Sequence, residues 1–178
     1  DAEEAIVSSV KAGVSMMIGI GTSLDDSKIA VRFANEHHEN YFASVGIHPH
    51  EASKLSKKEI DKHLKELQKL AIDPKVVAIG ECGFDFYYND RSEALDKQTA
   101  LLEGQLEIAE KHNLPVSFHV REAFDDFWPI YDKFKVSGVL HSFTDRPIHL
   151  EKALQRGLFI GVNGIATFTA HQWQKNMF

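Results

Sequence analysis

Val76-Val-Ala-Ile-Gly80 runs straight into Glu81-Cys-Gly-Phe-Asp85, a short apolar stretch that ends on a carboxylate with no polar alternation before it. A strand with one wet face alternates polar and apolar side chains; a strand covered on both faces reads as a continuous apolar run. Val76–Gly80 therefore predicts a buried strand of a parallel sheet, with its first acidic residue at the strand's end. Similar runs lie on either side of it: Val14–Ile20, Tyr41–Ile47, Pro115–Val120, Gly138–His141 and Leu158–Val162.

The stretches between these runs carry helical signals. Ser56-Lys-Lys-Glu59 is a capping box, followed by Ile60, Leu64 and Leu67 on one face. Leu95, Leu102, Leu106 and Ala109 share one side of a long helix that should end near Asn113 and Pro115. Ile29, Phe33 and Ala34 do the same after Leu24. Pro129 sits within the pattern Phe127, Ile130, Phe134, which predicts a helix starting near Asp125, so that proline falls in the first turn where N–H groups lack partners. Asp145 with Pro147 opens the next helix, and Gly157 closes it. Strands alternating with helices define an α/β class with a parallel sheet. About six β/α units could form an open doubly wound sheet or most of an eight-stranded barrel, and pattern alone leaves both open.

Composition narrows the function classes. The 178 residues suit one domain, and 43% hydrophobic content can build a core. A net charge of -6 argues against a protein that coats nucleic acid, yet allows a small cleft where bound metal ions meet a phosphodiester. Cys82 is the single cysteine, so neither an internal disulfide nor a cysteine zinc site is available. No apolar run approaches membrane-spanning length and no signal peptide is visible, so the expectation is a cytoplasmic protein with no membrane association and no obligate protein partner.

The strand ends point to the chemistry. Four successive runs finish in Gly46-Ile-His-Pro-His50, Gly80-Glu-Cys-Gly-Phe-Asp85, Phe118-His-Val-Arg121 and Leu140-His-Ser-Phe143. In β/α barrels the catalytic groups sit where strands end. His48, Glu81, His119 and His141 thus occupy equivalent positions, and imidazoles with a carboxylate converging from several strands form a metal-ligand set. Singly, each would read as a hydrogen-bonded loop residue or a helix cap.

These motifs, together with Gly161-Val-Asn-Gly-Ile-Ala-Thr-Phe168 and in this order, resemble the TatD family of metal-dependent deoxyribonucleases over essentially the whole chain. The resemblance implies a distorted, TIM-like β/α barrel related to the amidohydrolases, with two divalent ions (Mg, Mn or Zn) that hydrolyse phosphodiester bonds of DNA in a 3′→5′ exonuclease manner. It assigns Glu81 to both metals, His119 and His141 to the second metal, and His48 and Arg121 to the substrate phosphate. Asp85 and Tyr87 match the motif after the glutamate and should support the site. The alternative it carries is an ester or amide hydrolase such as a D-aminoacyl-tRNA deacylase.

Two family motifs have no counterpart in these residues: the His-x-His of the first strand and the Glu-Thr-Asp of the last. The six runs therefore read as strands two to seven of one domain, residues 1–178, incomplete at both ends. The catalytic residue is then left unassigned, the expected Asp lying beyond the chain's end. Of the remaining histidines, His37-His38 reads as a solvated helix end. His50, His63, His112, His149 and His171 read as surface residues. The stripe Phe124, Phe127, Trp128, Tyr131 and Phe134 reads as core packing in preference to a base-stacking platform. Cys82 should point away from the metals.

Overall fold

The computed structural model describes residues 2–37, 40–88, 90–169, 172–175 and 177. Six strands form one parallel sheet in sequence order: β1 (Met17–Ile20), β2 (Tyr41–Val45), β3 (Val76–Asp85), β4 (Val116–Arg121), β5 (Gly138–Leu140) and β6 (Phe159–Ile160). Among the described residues eight α-helices accompany them: α1 (Ala2–Lys11), α2 (Leu24–Glu36), α3 (Lys57–Leu70), α4 (Arg91–His112), α5 (Phe124–Tyr131), α6 (Pro147–Gln155), α7 (Ile165–Phe168) and α8 (Gln172–Lys175). All six expected runs are strands. The unbroken order of parallel neighbours is the α/β, TIM-like arrangement, with the sheet open between β1 and β6.

Burial is deepest in the middle of the sheet. Ala43, Val45, Ile79, Phe84 and Phe118 are fully buried, as strands covered on both faces must be. The sheet's two ends are barer: Ile18 and Ile20 on β1 and Phe159 on β6 are more than half exposed or close to it.

Helix boundaries follow local chemistry. Glu59 N–H donates to Ser56 Oγ while Ser56 N–H donates to Glu59 Oε2, which closes the capping box of α3. Asn113, at φ 53°, takes the left-handed position that ends α4. Along α4, Leu101, Leu102, Leu106 and Ala109 are buried against the sheet layer. Gly104 allows α3 to approach closely, because a Cβ there would run into Leu64.

Two helical expectations need correction. On α2 the buried face is Leu24, Ser27, Ala30, Val31 and Ala34, whereas Ile29 is 53% exposed. Small residues let α2 lie close to the sheet, and the bulky Ile29 falls outside that stripe. On α5 the helix begins at Phe124, so Pro129 is its sixth residue and lies past the first turn. Pro129 has no N–H, so the helix goes without the bond that position would otherwise make to the Asp125 carbonyl. Phe124, Phe127, Trp128 and Tyr131 are buried, the packing role expected for them.

Candidate metal centre

The site is built where β2, β3, β4 and β5 end. β3 carries an irregularity there: Ile79 pairs with Val116, but Cys82 already pairs with Phe118, so two residues of β3 stand where β4 has one. Such a bulge re-aims a side chain, and the residues inside it are Gly80 and Glu81. Gly80 has a positive φ of 124°, and its peptide bond to Glu81 is cis. Gly46 on the neighbouring segment lies so close that a Cβ would sit 2.5 Å from the Gly80 carbonyl carbon. Only two glycines let the strand ends that carry His48 and Glu81 meet like this.

Alternation then sorts the faces. Glu81, Gly83 and Asp85 share one side of β3, and their partners His119 and Arg121 share the same side of β4. Cys82 and Phe84 turn to the other side and are fully buried, and burial pushes the Cys82 thiol up, away from nucleophilic chemistry.

Three imidazole nitrogens converge on Glu81 Oε1: His119 Nδ1 at 3.0 Å, His141 Nε2 at 3.9 Å and His48 Nε2 at 4.0 Å. Among the described residues, His48, Glu81 and His119 form the group compact enough to hold a metal ion, each offering a ligand atom within 4.8 Å of the others. His141 stands just outside that group with its side chain half exposed. All five residues expected in the site, His48, Glu81, His119, Arg121 and His141, line one cleft of about 310 Å³, with Val120, Ser142, Thr144 and Ile165. A carboxylate with imidazoles is the donor chemistry that divalent ions accept.

Asp85 stands behind His119. Its side chain is 1% exposed; Oδ2 lies 2.8 Å from His119 Nε2, and Oδ1 accepts the Tyr87 N–H at 2.9 Å. Burial alone would raise the Asp85 carboxyl, but the bonds from His119 and Tyr87 outweigh it and hold it at about 2. Burial would likewise lower His119, but its bonds to Asp85 and Glu81 raise it to about 9. Glu81 is held below the ordinary carboxylate value by His119, His48 and His141, against the burial that would raise it. His48 goes the opposite way: burial, followed by the neighbouring His119, lowers it to about 4. A neutral His48 accepts the His50 N–H at Nδ1, 3.2 Å away, which leaves its own proton on Nε2, facing the cleft.

Sequence reading missed several contributors. His50 was expected on the surface, but its Nε2 lies 3.0 Å from Asp85 Oδ2, without the alignment of a hydrogen bond. His149, also expected there, is 2% exposed, stacked on Phe124 and bonded to Trp128 Nε1–H. His38 and His171 lie outside the described residues. Gln98 and Gln105 on α4 gave no signal beyond being polar residues in an apolar stripe. Gln105 donates to the Ile47 carbonyl and accepts the Ile47 N–H at 2.7 Å, while Gln98 does the same for Asp85 at 3.0 Å each way.

A parallel α/β sheet whose strand ends gather a carboxylate and imidazoles in one cleft has the donor set of a divalent-metal site. A sequence profile described as TatD related DNase matches residues 1–177, and the chain belongs to that family. The 3′-5′ ssDNA/RNA exonuclease TatD of Erwinia tasmaniensis is 38% identical over 168 residues, covering 92% of this chain and 62% of the relative. The protein of the same name from Cronobacter sakazakii is 38% identical over 167 residues, covering 92% and 61%. Among solved structures, YJJV, a TatD homologue from Escherichia coli K12, superposes with a TM-score of 0.85 at 27% identity, covering 99% of this chain and 67% of that one. A TatD family hydrolase from Entamoeba histolytica, at 24% identity and TM-score 0.80, shares the fold over 99% of this chain and 60% of its own. The chain thus spans about three fifths of the curated relatives it matches. None of its described helices is long and apolar enough to cross a membrane.

Proposed function

We propose that the protein is a metal-dependent phosphodiesterase that removes nucleotides from the 3′ end of single-stranded DNA or RNA, the activity for which its relatives are named. The observation that carries this reading is the convergence of three imidazoles on Glu81 Oε1 in a cleft that also holds Arg121. Glu81, His119 and His141 would hold two divalent ions, and Mg²⁺, Mn²⁺ or Zn²⁺ suits such donors. Ions bound there supply a water of lowered pKa and positive charge for the phosphate oxygens.

The protein's own residues arrange everything else. Asp85 accepts the Nε2 proton of His119, which fixes the ring and turns Nδ1 toward Glu81. His48, neutral and with its proton on Nε2, is a hydrogen-bond donor at the cleft wall and serves the substrate phosphate better than a metal. Arg121 supplies a fixed cation for a second phosphate oxygen. The single buried cysteine suits a reducing compartment, and we place the protein in the cytoplasm.

The test is hydrolysis of a 5′-labelled single-stranded oligonucleotide with Mg²⁺, Mn²⁺ and Zn²⁺ in turn, with a D-aminoacyl-tRNA assayed in parallel. Stepwise loss of 3′ nucleotides, dependent on the metal, is expected. Turnover of the aminoacyl ester alone would replace phosphodiester chemistry with ester chemistry at the same site.

A further inference from the structure

We propose that Tyr87, Tyr88 and Arg121 form a stacking platform for an unpaired terminal base at the rim of the Glu81 cleft. The proposal rests on the phosphodiesterase reading above and adds how the substrate is held. Arg121 leaves β4 two residues after His119, on the same face, and lines the cleft. Its guanidinium carbon lies 3.6 Å from the centroid of the Tyr87 ring and 5.3 Å from that of Tyr88. The two tyrosine rings meet edge to face, 4.5 Å apart at 88°. Tyr87 is 49% exposed and Tyr88 is 70% exposed, so both offer ring surface to solvent.

This surface is tied to the catalytic cleft. Asp85, which holds His119, also accepts the Tyr87 N–H and so fixes where the tyrosine pair begins. The Tyr88 ring is 5.8 Å from His50, and His50 is 4.6 Å from His48, so aromatic rings lead from the cleft wall outward. A cation beside exposed aromatic rings, next to a phosphate-binding cleft, matches what a nucleotide presents: a charged phosphate and a flat base. Stacking tolerates any base but needs a free face, which a base inside a duplex does not offer. A cation–π pair that only stiffened Arg121 would not distinguish substrates by their bases.

The experiment uses the full chain with Mn²⁺ and two unpaired oligonucleotides, one ending in an ordinary thymidine and one in an abasic residue. Wild type should show a KM roughly 10-fold lower for the base-bearing end, in line with the contribution of one stacked base. Tyr88→Ala should erase that difference, with the loss falling on KM, and Tyr88→Trp should keep it. Equal KM values for both ends in wild type, or an equal loss on both ends in Tyr88→Ala, would overturn the platform while leaving the hydrolase intact. Failure of wild type to cleave either end overturns the phosphodiesterase reading and the platform with it.

Discussion

Gln105, fully buried on α4, satisfies both backbone hydrogen-bonding groups of Ile47, the residue just before His48. Seven residues earlier on the same helix, Gln98 does the same for Asp85. Seven residues is two helical turns, so both amides sit on one face. Each amide acts like a missing strand, pairing an N–H and a C=O that the sheet ladder leaves open.

Replacing Gln105 with Leu should therefore leave two buried backbone groups unpaired, at a cost of about 2–4 kcal/mol. Urea denaturation would show it as a lower midpoint. Because Ile47 carries His48, the surviving protein should also bind substrate more weakly, and Gln105→Glu should recover neither loss, because a carboxylate oxygen would face the Ile47 and Leu101 carbonyls to which the amide donates.

Metal binding should release a proton near neutral pH. His119 is raised to about 9 by its two carboxylate neighbours, so without a metal it is charged at pH 7.5. A ligand nitrogen must give up its proton. Calorimetric titration of Mn²⁺ in buffers of different ionisation enthalpy should report about one proton released. The sign for stability follows from the same shift. A raised pKa stabilises the metal-free fold fully below the unfolded value of 6.5, and that contribution disappears as pH rises through 9. A proton count of zero would show that His119 is already neutral.

His48 and His141 should separate kinetically. His48 lies within ligand distance, but the proposed role for its Nε2 proton is as a donor to substrate. His48→Ala should raise KM roughly tenfold, the worth of a hydrogen bond to a charged group, with Mn²⁺ affinity little changed. His141→Ala should instead weaken Mn²⁺ binding. Isothermal titration of the two variants checks both outcomes, and a collapse of metal affinity in His48→Ala would exchange their roles.

Much of the fold was legible because strands buried on both faces leave runs such as Val76–Gly80, and because polar residues that end four such runs must converge. The bulge at Gly80–Glu81 was not legible, since nothing local distinguishes it from a continuing strand; only the register with β4 reveals it. Gln98 and Gln105 were hidden for a related reason: a buried amide is recognisable only once its backbone partner, 13 or 58 residues away, is in place. His149 was misread because hydrophobic periodicity treats histidine as polar, while stacking on Phe124 lets it join the core. Ile29 was misplaced because periodicity finds a stripe without saying which small residues the sheet requires.

In the proposed function Glu81 holds the metal on which hydrolysis depends. The most direct test is the rate of 3′-nucleotide release from a single-stranded oligonucleotide, measured for wild type and Glu81→Ala while Mn²⁺ is titrated. Wild type should rise to saturation, and Glu81→Ala should stay at background throughout. A Glu81→Ala protein that turned over at the wild-type rate with the same metal dependence would show that Glu81 does not hold that metal.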